Sequence, residues 1–201
     1  LPLVIAEAGA TSSVGSMMQI PVAISRFDRY ARGAMTDLTR GLPPQPIGAT
    51  PLAPGALMGG VANRVPVGVV ACISPYNFPT VNMVGKIAPA LAVGCTVVMK
   101  PAPQDPLCVI ELAKILDEVG FPPGVVNIVT GAKAEVGAVL VDDDNVDMVS
   151  FTGSTQVGIK IVEAGARTMK RQLQELGGKG ACVVTDVADM DQAVTGIASV
   201  W

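Results

Sequence analysis

From Val65 onward, short β-branched runs alternate with longer amphipathic segments, and no other feature of the sequence constrains the fold as strongly. "VPVGVVACI" precedes residues 81–92, "TVVMK" precedes 107–119, "VVNIV" precedes 134–141, "VDMVSF" precedes 155–166, and "ACVVT" precedes 189–201. Strands that are apolar on both faces and separated by helix-length segments are covered on each side, which is the pattern of a parallel sheet. The expected class is α/β, an open parallel sheet with helices on both faces wound by right-handed crossovers.

Punctuation within this region agrees with that class. Asp105-Pro106 reads as a helix N-cap followed by the first helical residue, Gly120 as the end of that helix, and "FPPG" as a forced turn before the next strand. Upstream, a helix is expected over about residues 21–35, with Ile24, Phe27 and Tyr30 on one face. The Pro/Gly-rich stretch 41–60 still carries Ile47, Leu52, Leu57 and Met58, so it reads as an extended arm. The organisation expected is a helical segment over 1–40, an arm over 41–66 and an α/β domain over 67–201. Leu1 is not an initiator Met and Trp201 falls inside a helical pattern, so both ends are expected to be cut.

Totals exclude several chemistries. A net charge of −3 with scattered Lys and Arg leaves no basic stripe for a phosphate backbone, so nucleic acid is not expected as a partner. No apolar run approaches the length of a bilayer span and "LPLVIAEAGA" lacks a basic leader, so no membrane partner and a cytoplasmic location are expected. The cysteines Cys72, Cys95, Cys108 and Cys182 form no CxxC pair, which points to reduced and mostly buried thiols. With no His in the chain, imidazole bases, Ser-His-Asp triads and His-metal sites are all excluded.

Carboxylates, amides and backbone dipoles remain. "VSFTGSTQVG" sets a β-run directly before Gly153, Ser154 and Thr155 and then a helical pattern, which suits an anion such as a pyrophosphate at a helix start. The same residues would serve an ordinary strand-to-helix turn with a Ser or Thr N-cap, and GxGxxG is absent. "SPYNFP" holds Asn77 between Pro75 and Pro79, as an oxyanion donor requires or as a Pro-rich turn allows. Lys100 ends the apolar "VVMK" run where ligands sit in open α/β sheets, and where lysines also serve solubility. Glu175 in "QELGGKG" lies where a strand gives way to glycines; partial burial would make it a general base, and a surface carboxylate is the alternative. The run Asp142-Asp143-Asp144 reads as a solvated loop, because consecutive carboxylates converge poorly on one ion, and no metal site is expected.

Taken together, "SPYNFP", "KIAPALAVGCTVVMKPAPQDPL", "GFPPGVVNIVTG", "VSFTGSTQVG" and "ELGGKG", in this order, closely resemble the NAD(P)-dependent aldehyde dehydrogenase superfamily over about residues 31–201. The resemblance implies a Rossmann-like cofactor domain and assigns Asn77 to the oxyanion, Lys100 to the adenosine ribose, and Gly153 and Ser154 to the pyrophosphate. It gives Glu175 the role of activating water and puts Gly177 and Gly178 by the nicotinamide. The flanking positions Ser74, Pro75, Tyr76, Ala102, Pro103, Lys133, Gly137, Phe151, Thr152, Val157 and Leu176 are expected to complete the cofactor site. In this family the nucleophilic cysteine follows "ELGGK" at a greater spacing than the residues available here, so none of the four cysteines matches it. The catalytic domain is therefore expected to be missing and the isolated chain inactive.

The implied reaction oxidises a small-molecule aldehyde to a carboxylic acid through a cysteine thiohemiacetal and thioester, with hydride passing to NAD or NADP. The presence of Glu175 favours hydrolysis over transfer to coenzyme A. Many NAD-preferring members carry a Glu three residues after the Lys; Pro103 stands there, and Lys133 replaces a frequent glycine, so acceptance of NADP is expected. Residues 48–66 resemble an arm used between subunits, which implies a homo-oligomer, a dimer or tetramer. The alternative is a cofactor-binding or partner-binding fragment without turnover.

Overall fold

The computed structural model describes residues 1–186 and 188–200. The chain opens with α1 (Pro2–Ala8), a short α2 (Ser12–Val14) and a π-helical turn, Gly15–Gln19, that runs into α3 (Ile20–Gly33). Next come β1 (Arg40–Ile47) and β2 (Ala56–Ala62), an antiparallel pair with every residue exposed. Their register shifts between Leu42 and Gln45, across Pro43 and Pro44, which have no N–H to offer a ladder.

The remaining strands form one parallel sheet. In chain order these are β3 (Val69–Ile73), β4 (Thr96–Lys100), β5 (Val126–Ile128), β6 (Met148–Gly153) and β7 (Arg171–Leu176), and in space β5-β4-β3-β6-β7. The connecting helices are α4 (Pro79–Ala92), α5 (Leu107–Val119), α6 (Glu135–Asp142) and α7 (Thr155–Gly165), and α8 (Met190–Val200) follows β7. Chain order runs outward from β3 through β4 to β5, then returns to the other side of β3 for β6 and β7. That reversal opens a crevice at the carboxyl ends of β3 and β6, the place where open α/β sheets bind ligands.

Alternation along the strands explains why they read as continuous apolar runs. Val70 and Cys72 of β3 join Met83, Ile87, Val97, Met99, Val109 and Leu112 in one core under α4 and α5. Ala71 and Ile73 point the other way, into a second core with Val141, Val149, Phe151 and Ile161. Gly68, at φ 120°, immediately precedes β3, and a Cβ there would collide with the Asp147 carboxylate that accepts the Val69 N–H at 2.8 Å. Across the sheet, Lys170 Nζ donates to the carbonyls of Asp143 at 2.7 Å and Val146 at 2.5 Å. The acid run before it builds a turn: Asp143 accepts the Asn145 N–H at 2.8 Å, and Asp144 pairs with Arg167 at 2.6 Å.

Three expectations need correction. On α3 the buried side is Ala23, flanked by half-buried Phe27 and Tyr30, while Ile24 is exposed. "ACVVT" forms no strand and is exposed; only four residues separate it from β7, whereas a parallel crossover needs about a dozen. The helix expected over 189–201 spans Met190–Val200, and Trp201 lies outside the described residues.

The third correction concerns the start of α5. Asp105 does not cap it; the Glu7 carboxylate of α1 does, accepting the Leu107 N–H at 2.5 Å and the Cys108 N–H at 2.7 Å. Asp105 is 1% exposed, with both carboxylate oxygens lacking a hydrogen-bond partner. Burial, reinforced by the nearby Glu7 charge, raises its carboxyl to about 7.

Candidate active site

Two half-sites meet at the carboxyl edge of the sheet. One lies over β4: Lys100 is buried, with Nζ donating to the Pro101 carbonyl at 3.1 Å, and Gly137 of α6 faces its side chain, a Cβ there falling 3.9 Å from Lys100 Cε. Ala102 is buried beside it, while Pro103 and Lys133 are exposed. Burial holds the Lys100 ammonium below its ordinary value. At the end of β3 the Ser74 hydroxyl is buried and lacks a hydrogen-bond partner among the described residues.

The other half-site is a cavity of about 810 Å³. Pro75, Tyr76 and Asn77 form one wall, from the turn that leads β3 into α4. Thr152, Gly153 and Ser154 form the floor at the end of β6, and Glu175, Leu176 and Gly177 line the edge at the end of β7. Ser154 caps α7, its Oγ accepting the Val157 N–H at 3.3 Å, so the helix start points at the crevice. Gly177 comes close enough for Thr155 Oγ1 to reach its carbonyl at 3.5 Å, which folds the Gly-Gly segment over the α7 start. Phe151 is buried in the core beneath, and Val157 and Gly178 are exposed nearby in sequence without lining the cavity.

Glu175 is exposed, on the outer strand of the sheet, so the condition of partial burial is not met in these residues. The perturbed group lies next to it. Lys86 of α4 is 6% exposed and donates to Thr152 Oγ1 at 2.7 Å and Ser150 Oγ at 3.4 Å; Thr152 is the register partner of Glu175. Burial lowers the Lys86 ammonium to about 8, opposed by the neighbouring Cys72 and Glu175. An amine poised there can hold or release a proton beside the Glu175 carboxylate at near-neutral pH.

Lys86, Arg26, Arg29, Tyr30, Asn82, Gly85 and Leu173 also line the cavity and were not read from the sequence. Asn82 and Lys86 stand four residues apart in a helix whose one other polar side chain is Thr80, a polar stripe the sequence does show. Arg26 and Arg29 carry no such sign, because only the packing of α3 against α4 brings them to the site.

None of the four cysteines lines the cavity. Cys72, Cys95 and Cys108 are buried; burial raises the thiols of Cys72 and Cys108 to about 12, with the Glu7 carboxylate adding to the effect at Cys108. Cys182 is exposed in the segment after β7.

A sequence model of the aldehyde dehydrogenase family matches residues 3–200. Mouse retinaldehyde dehydrogenase 3 is 50% identical over 130 residues, 64% of this chain and 25% of its own length. The putative aldehyde dehydrogenase DhaS of Bacillus subtilis is 40% identical over 177 residues, 88% of this chain and 34% of its own length. Among solved structures, betaine aldehyde dehydrogenase of Staphylococcus aureus in complex with NAD+ superposes with a TM-score of 0.87 at 35% identity, over 97% of this chain and 37% of that one. The chain therefore spans about a quarter to a third of the length of the curated relatives it matches.

Proposed function

The chain belongs to the aldehyde dehydrogenase family, and from that premise we propose that it supplies the dinucleotide site and the hydrolytic base for oxidation of an aldehyde to a carboxylic acid. One observation carries this reading: the cavity at the carboxyl edge brings Asn77, Ser154, and the Glu175–Gly177 pair together from three separate segments of sequence.

The donor groups fit a dinucleotide. Lys100, with Nζ engaged by a single backbone carbonyl, would hold ribose hydroxyls; Gly153, Ser154 and the start of α7 would hold the pyrophosphate; Leu176, Gly177 and Gly178 would lie by the nicotinamide. Bound there, the nicotinamide provides the hydride acceptor. The Asn77 amide, fixed by its flanking prolines, donates to the oxygen that gains charge as the aldehyde carbon becomes tetrahedral. Glu175 takes the proton from the water that attacks the acyl group, and Lys86, hydrogen-bonded to Thr152, stabilises the Glu175 carboxylate between turnovers. The acyl group would be a thioester on a cysteine other than Cys72, Cys95 and Cys108, which are buried, and Cys182, which does not line the cavity. We extend the proposal to NADP: Pro103 leaves no carboxylate to repel a 2′-phosphate, and Lys133 offers it a cation. The NAD+ complex of the Staphylococcus relative supports NAD.

The exposed β1–β2 pair supports a homo-oligomer. A two-stranded ribbon with Leu57, Met58 and Val61 in solvent does not hold together well by itself, and a neighbouring subunit would cover it.

Titration of the 201-residue chain with NAD+ and NADP+ tests the cofactor reading: saturable binding of at least one, weakened tenfold or more by Lys100→Ala, is expected. Failure to bind either dinucleotide would sink the proposal. Spectrophotometric assay of NAD(P)H with an aldehyde panel tests the second part, where no turnover by these residues alone is expected. The rival reading, a cofactor-binding module without turnover in any context, rests on the same missing thiol. Turnover once a cysteine-bearing partner segment is supplied in trans or in cis eliminates it.

A further inference from the structure

Resting on the aldehyde dehydrogenase reading, we propose that the cavity selects aldehydes that carry an anionic group, with Arg26 and Arg29 of α3 as the specificity-determining residues. Three cationic side chains, Arg26, Arg29 and Lys86, line the cavity against one carboxylate, Glu175. Among the described residues neither guanidinium pairs with an acid: Arg26 Nη1 donates to the Val81 carbonyl, and the ion pairs of α3 involve Arg32 instead. A cavity with this imbalance attracts and orients an anion, and a guanidinium presents paired N–H donors to a carboxylate or phosphate.

The position of Arg26 is built into the two helices. Asn82, Gly85 and Lys86 form the cavity-facing stripe of α4, and a Cβ at residue 85 would lie 2.6 Å from Arg26 Nη1. Glycine at 85 is what lets the guanidinium of α3 lie against α4 at the cavity wall. From that wall Lys86 leads through Thr152 to Glu175, so the cationic end and the reacting end belong to one continuous surface. An aldehyde with its anionic end toward Arg26 and Arg29 can direct its carbonyl toward Asn77 and Glu175. An uncharged aldehyde would offer neither guanidinium group a counter-charge.

Arginines at this location fit the substrate end of the site. The cofactor half-site over β4 has its own cation, Lys100; the groups given to the pyrophosphate and nicotinamide line the same cavity from the ends of β6 and β7, whereas Arg26 and Arg29 enter it from α3.

The test uses the 201-residue chain and amide NMR, in which spectral dispersion reports whether each variant is folded. Titrations compare 4-oxobutanoate, its uncharged methyl ester, and glyceraldehyde 3-phosphate, with NAD+ as a separate arm. The acid is expected to perturb residues 26–30 and 82–86 with at least a tenfold lower Kd than the ester. Arg26→Gln and Arg29→Gln are expected to reduce that preference at least fivefold each while NAD+ binding stays unchanged. Tighter binding of the phosphate than of 4-oxobutanoate at these residues would support the proposal and identify phosphate as the anion. Equal affinity for acid and ester, or perturbations elsewhere, overturns it while leaving the dehydrogenase reading intact if NAD+ still binds. Failure of the unaltered chain to bind both NAD+ and NADP+ overturns that reading and this one with it.

Discussion

Lys86 and Asp105 are both buried with no opposite charge in hydrogen-bond contact among the described residues, and each makes stability depend on pH in its own window. Asp105 is held up from 3.8 to about 7, so the folded state binds the extra proton between those values and stability falls as pH rises through them. Lys86 is pushed down from 10.5 to about 8; there the unfolded state binds the extra proton, and stability rises between about pH 8 and 10.5. Thermal melts across pH should therefore dip near pH 7 to 8. Asp105→Asn should abolish the fall on the acid side, on the order of 2–4 kcal/mol at about 1.4 kcal/mol per unit, and Lys86→Met the rise on the alkaline side. A flat profile in the unaltered protein would refute both assignments. Gly68→Ala is expected to cost about 2 kcal/mol or more in denaturant unfolding, because the residue sits at φ 120° and its Cβ would displace Asp147 from the Val69 amide. Asn77, Ser154 and Glu175 could be singled out because each has marked neighbours in sequence, two prolines, a β-run and a glycine pair, and all three line the cavity. Asp105 was misread for the opposite reason: its role as a cap was pre-empted by a carboxylate a hundred residues upstream, which no local pattern reveals.

At the level of elements, the contact of α1 with α5 rests on that same carboxylate. Glu7→Ala removes the acceptor for two N–H groups of α5, and a loss of about 1–2 kcal/mol is expected, with faster hydrogen exchange at Leu107 and Cys108. Unchanged exchange there would show that the cap is dispensable. The parallel strands β3, β4 and β6 were readable because they are apolar on both faces, and Gly120 ended α5 as expected at φ 91°. "ACVVT" has the same composition as those strands but lacks the intervening crossover; residue type alone does not carry connection length. Residues 41–60 read as an arm from their Pro and Gly content, yet the pairing of β1 with β2, bulge included, depends on which residues meet across the turn.

For the whole molecule, the order β5-β4-β3-β6-β7 followed only in outline from the alternation of strands and helices. Alternation specifies parallel strands and handed crossovers; the return from β5 to the far side of β3 is decided by which helices can cover both faces. If the β1–β2 ribbon is a subunit contact, light scattering should report more than one copy, and Leu57→Asp with Val61→Asp should shift the protein to monomer without altering the melting of the sheet. A protein already monomeric would remove that proposal. The clasp of α1 by Glu7 also has a temporal side. Its partners lie 100 and 101 residues downstream, so at roughly 5–20 residues per second α1 leaves the ribosome some 5–20 seconds before its seat exists. For that interval Val4, buried in the finished protein, stays open to solvent and to chaperones. Helix α1 must therefore wait for α5 before it can dock.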